Sequence, residues 1–188
     1  MKFRIALVVL ALAAAGCDRQ ASTSDGADAP QLDAPAPENE PARQFNAAND
    51  GARAAAAELN VSVSLRLPDA GNADSDAQEV LTLRGGNGFL VEAEITGAVS
   101  PATQVGGQTL RALLSIPVEE PQVLVYRVVS ETKPDGGGGL CGADAPTFLV
   151  VWEPAGPGES VMKLLGVTGG QPGAANSRAC TMLEYRRG

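Results

Sequence analysis

Val61-Ser62-Val63-Ser64-Leu65-Arg66-Leu67 alternates apolar and polar side chains without a break. A period of two sets one face of an extended strand on a core and the other in water. Seven further stretches follow in the same style, at 80–84, 89–96, 109–116, 122–130, 147–153, 161–168 and 179–186. Glycine, proline and aspartate clusters separate them, at 68–75, 85–88, 106–107, 134–139, 154–158 and 169–173. Short strands at this spacing, with no intervening helices, predict an all-β fold, a single antiparallel sandwich or barrel of about seven or eight strands. A domain over 61–188 is long enough to bury about two-thirds of its unfolded surface.

Within 89–96, Glu92, Glu94 and Thr96 fall on one face and Val91, Ala93 and Ile95 on the other, so that sheet face is solvated. The runs 110–116 and 123–129 are nearly continuous in apolar residues, which predicts central strands covered on both sides or lining a cavity. Before the first strand, residues 51–60 are rich in alanine and have room for one short helix, capped by Asn49 or Asp50. Residues 17–50 are Ala, Pro, Asp, Ser, Gln and Glu with almost no large apolar side chain, a composition that cannot repay the entropy of ordering. This stretch reads as a disordered acidic tether, with a coil span of about 30 Å over some 28 residues.

Residues 1–16 form a secretory signal. Lys2 and Arg4 precede an apolar run from Ile5 to Ala15, eleven residues long and too short to span a bilayer, where about 20 are needed. Its end, Leu12-Ala13-Ala14-Ala15-Gly16-Cys17, resembles the lipobox of bacterial lipoproteins, with Ala14 where that pattern prefers leucine. The resemblance covers only these residues. It implies lipidation of Cys17, cleavage before it, and a lipid-anchored protein of the cell envelope facing the periplasm. Asp18 leans toward the inner membrane under the sorting rule of enteric lipoproteins. The alternative is ordinary cleavage after Ala15.

There are three cysteines. With Cys17 lipidated, Cys141 and Cys180 remain to form a disulfide in an oxidising compartment, or else stay as two buried thiols. Removing residues 1–16 leaves 12 basic against 22 acidic side chains, a net charge of −10. Such a surface is repelled by phosphate backbones and anionic headgroups, so nucleic acid is an unfavourable partner and the lipid alone would hold the chain to a membrane.

The chain has no histidine, which removes the commonest catalytic base and metal ligand. Ser160-Val161-Met162-Lys163 fits S-x-x-K, but an alternating strand points Ser160 and Lys163 to opposite faces. Asn72, Asp74 and Asp76 hold the spacing of calcium ligands without the glycine and glutamate that complete such a loop. Gly136-Gly137-Gly138-Gly139 lacks the lysine of a phosphate loop. Glu58-Leu59-Asn60-Val61-Ser62 fits an acidic glycosylation sequon, and the few aromatics read as core. No cofactor and no metal are expected. The expected function is a non-catalytic, membrane-tethered β domain that binds an envelope protein partner or a small ligand. An inhibitor of an exported hydrolase such as a lysozyme, inserting residues 167–174, is the alternative. A carboxylate-based hydrolase using Glu153 and Glu184 comes third.

Overall fold

The computed structural model describes residues 41–67, 77–134, 136–154 and 161–188. The proposed signal and lipidation site Cys17, most of the tether, the Asn72, Asp74, Asp76 set and Ser160 lie outside the described residues. The chain runs β1 (Arg43–Ala47), α1 (Asp50–Ala55), β2 (Glu58–Arg66), β3 (Gln78–Gly85) and β4 (Leu90–Val99). It continues through β5 (Gln104–Val105), β6 (Gln108–Thr109) and α2 (Leu110–Leu114), then β7 (Val123–Thr132), β8 (Phe148–Trp152), β9 (Val161–Thr168) and β10 (Arg178–Arg187).

Eight of these strands form a closed antiparallel barrel in the order β1-β2-β3-β4-β7-β8-β9-β10, with β10 hydrogen-bonded back to β1. The fold class expected from the alternation is therefore right, and closure decides between sandwich and barrel. The period-two pattern fills the interior. Val61, Leu81, Leu83, Val91, Leu149, Met162, Leu164, Leu183 and Tyr185 point inward and are buried together.

Two expectations are corrected. Residues 43–47, assigned to the tether, are a barrel strand, because Phe45 inserts a fully buried ring between β2 and β10. The run 109–116 is not a strand but the short helix α2. Thr109 caps it by accepting from the Ala112 N–H, Leu110 and Leu114 fall on one buried face, and Ser115 ends it with a left-handed backbone at φ 49°. A short apolar run of leucine and alanine is helix-competent, and periodicity alone cannot separate the two forms.

Together with the β5–β6 hairpin, α2 covers the outer face of β7, β8 and β9. A second core forms there, with Leu110, Leu114 and Val105 against Val125, Val150, Leu165 and Val167. The coverage on both sides expected for 123–129 is thus real for Val123 and Val125, while Leu124 and Val129 are exposed. The helix expected within 51–60 occurs one residue early, and residues 58–60 already belong to β2.

Antiparallel succession puts the β1–β2, β3–β4, β7–β8 and β9–β10 connections at one end of the barrel. There α1 lies across the opening. Its small side chains Ala52 and Ala55, with Ala56, pack against Phe89 and Leu140 in the interior cluster. The Tyr185 hydroxyl donates to the Ala52 carbonyl and the Asn87 amide to that of Ala55. The Cys141–Cys180 disulfide joins the same end, with Cα atoms 5.0 Å apart. Gly166 leaves room for it, since a Cβ there would sit 2.7 Å from the Cys141 Sγ. The opposite end has no such plug among the described residues.

Candidate functional site

At the open end a cavity of about 480 Å³ enters the barrel. Its walls are side chains of β2, β3, β7, β8 and β9 near the mouth, chiefly Val61, Val63, Leu81, Leu124, Val151 and Met162. Inward alternation then reaches polar residues at the rim. On β3 the series Leu83, Leu81 ends at Glu79; on β1 Phe45 is preceded by Arg43; past the end of β8 stands Glu153.

These rim groups are paired across the mouth. Tyr126 Oη donates to Glu79 Oε1 at 2.8 Å, joining β7 to β3. Arg43 Nη1 reaches both oxygens of Glu153 at 2.6 Å, tying β1 to the end of β8. The Tyr126 phenol is held well above its ordinary range, first by burial, then by the hydrogen bond to Glu79 and that carboxylate's charge, against a smaller opposing effect of Arg43. It therefore remains a protonated donor at any physiological pH. The charged groups and apolar walls together offer an orientation-setting rim over a hydrophobic well, the usual build of a small-molecule site.

Trp152, the single tryptophan, also borders the cavity and is buried beneath α2's connection. Lys163 lies 5.4 Å from its ring centroid and donates to the Ser115 carbonyl. Around the same end, Leu65, Leu67, Val118 and Leu124 are exposed large apolar side chains, with Leu67 at 64% and Val118 at 75%. No group of three or more His, Cys, Asp or Glu side chains suited to a metal ion occurs among the described residues. No helix among them is long and apolar enough to cross a membrane.

Glu153 and Glu184 are not brought together. Glu153 faces the mouth, while Glu184 is on the outer wall with Arg186. Residues 167–174 do not project as an insertion loop: Gly173 N–H bonds to the Gln104 carbonyl, Gly106 N–H to that of Ser177, and Pro172 is buried. Lys163 belongs to the outer face of β9, beside Trp152. Asn60 of the sequon is exposed but mid-sheet, paired with Gln44 and Arg84 rather than at the edge of a tether. The tetraglycine leads into a tight turn at Gly139 and Gly142, where Glu131 accepts from the Leu140 N–H.

Arg43, Glu79 and Tyr126 were invisible as a site in sequence. The available signal was a charged residue at an inward position of a strand, at Arg43 and Glu79, which becomes readable only once β1 is known to be a strand. In comparison with known proteins, no family model, no curated protein and no solved structure matches this chain.

Proposed function

We propose that the chain is a non-catalytic envelope lipoprotein, tethered through lipid on Cys17, whose barrel binds a small apolar ligand in its open mouth. The observation that carries the ligand reading is the cavity of about 480 Å³, walled by valine, leucine and methionine on a frame closed at its other end. Eight strands give an interior that either fills with side chains or holds one small molecule. Here the filled and the hollow regimes share one barrel: bulky Phe89, Leu140 and Tyr185 occupy the closed end, and at the other end no described residue fills the cavity.

The ligand reading is favoured over an inserted inhibitory loop because residues 167–174 are folded down on the β5–β6 hairpin. Glu153 is held in an ion pair by Arg43, and Glu184 stands on the outer wall, which weighs against a two-carboxylate hydrolase.

A neutral fluorescent apolar probe, N-phenyl-1-naphthylamine, tests the cavity. Saturable one-to-one binding is expected, and Val63→Trp, which fills the mouth, should abolish it while preserving the cooperative unfolding transition. Equal binding to both forms would refute the cavity as the site. The anchor is tested separately by metabolic labelling with a palmitate analogue: the wild type should be marked and Cys17→Ser spared, and equal labelling would remove the lipoprotein part.

A further inference from the structure

We infer that the mouth selects single-chain amphiphiles with a positively charged head. This rests on the ligand-binding reading above and specifies the class of ligand. The walls formed by Val61, Val63, Leu81, Val151 and Met162 are apolar and suit an unbranched hydrocarbon body. The head must then lie at the level of Glu79, Tyr126, Arg43 and Glu153.

At that level the described lining residues carry three carboxylates, Glu79, Glu120 and Glu153, against one guanidinium, Arg43. Arg43 is committed to Glu153 through both carboxylate oxygens. Glu79 accepts from the Tyr126 hydroxyl, a neutral donor that orients the carboxylate without cancelling its charge. No cation lies within ion-pairing distance of Glu79 or Glu120 among the described residues. Arg187, the other guanidinium that approaches β1, is placed 5.9 Å from the Phe45 ring centroid and does not line the cavity.

A net negative rim over low-dielectric walls focuses a field that attracts cations and repels anions at the cavity entrance. A fatty-acid carboxylate would meet Glu79 and Glu120 as a like charge. A neutral alcohol would gain only the burial of its chain. An ammonium head would gain the same burial and a charge-assisted contact with Glu79, whose second oxygen faces no other described donor.

Three probes of equal chain length decide the matter: decylammonium, decanol and decanoate. Each is titrated, below its micelle concentration and at low salt, into the full chain carrying Cys17→Ser, so that no acyl chain of its own competes. Trp152, at the cavity edge, reports binding by its emission, and calorimetry checks it. The cation is expected to bind about tenfold more tightly than decanol, with decanoate the weakest. Glu79→Gln keeps the acceptor for Tyr126 and removes the charge. It should bring the cation within about twofold of decanol and leave decanol itself unchanged, which also shows that the variant is folded.

Equal binding of cation and alcohol by the wild type, or a preference that survives Glu79→Gln, would overturn the charge selectivity while the apolar site stands. Failure of all three probes would overturn the ligand-binding reading itself, and the selectivity with it.

Discussion

Replacing Phe45 by alanine tests whether the barrel is closed as described. The ring is fully buried, in a strand hydrogen-bonded on one side to β2 and on the other to β10. The guanidinium groups of Arg43 and Arg187 lie 5.7 and 5.9 Å from its centroid. Truncating a buried phenylalanine costs about 3–5 kcal/mol in lost transfer energy and residual cavity, and each cation over the ring adds about 0.5–1 kcal/mol at sites of this exposure. A combined loss of about 4–7 kcal/mol with a urea slope near 2 kcal/mol per molar lowers the unfolding midpoint by about 2–3.5 M. The internal control is Gln44→Ala, next in sequence and exposed on the outer wall, which should change stability by less than about 0.5 kcal/mol. Urea titrations followed by circular dichroism, with equal slopes required for the comparison, measure both. If the two substitutions have the same small effect, residues 43–47 are not part of the barrel and the whole of 17–50 is tether.

Two other perturbations have definite expectations. Cys141 and Cys180 are 39 positions apart, and the chain-entropy model gives a cross-link of that span about 4 kcal/mol. The double alanine variant should lose about that much in a urea titration, and a loss below about 1 kcal/mol would show that the cross-link constrains little in the unfolded chain. Alkaline titration probes the two tyrosines, both of which have phenols raised above the ordinary range, Tyr185 by burial and Tyr126 by burial and Glu79. Below pH about 10 both are neutral folded or unfolded, and their contribution is fully present. Above it the unfolded chain releases protons that the fold retains, so stability falls by up to about 1.4 kcal/mol per pH unit for each phenol. Tyrosinate absorbance should therefore rise together with loss of the β-sheet signal, and a rise near pH 10 with the sheet intact would contradict the buried placement.

What the sequence conveyed depended on how many residues cooperated in each signal. Strands β2, β3, β4, β7, β8, β9 and β10 each carry several alternating side chains, and their ends lie within three residues of the expected ones, with β9 matching at both. The strand β1 has one large apolar side chain in Arg-Gln-Phe-Asn-Ala, too little for a period to show. Its stability comes from partners far along the chain. For 109–116 the composition was ambiguous, and the outcome was decided by Thr109 as a cap and by the outer faces of β7 to β9, which need covering. Pairing of Cys141 with Cys180 followed from counting. The mouth could not be read in advance, because its polar residues come from β1, β3 and β7 and the end of β8, and converge only when the sheet curls.

The order of the barrel has a kinetic consequence. Apart from the β1–β10 seam, every barrel pair joins strands consecutive in the chain except β4 and β7, whose connection carries the β5–β6 hairpin and α2, so most hairpins can form and extend with local loop closures. The seam between β1 and β10 joins residue 45 to residue 187 and can zip only after the other strands have assembled. Contacts made after the rate-limiting step govern how fast a native protein opens rather than how fast it forms. The residence time of the closed barrel is thus set at the seam, by a five-residue strand holding a single aromatic ring.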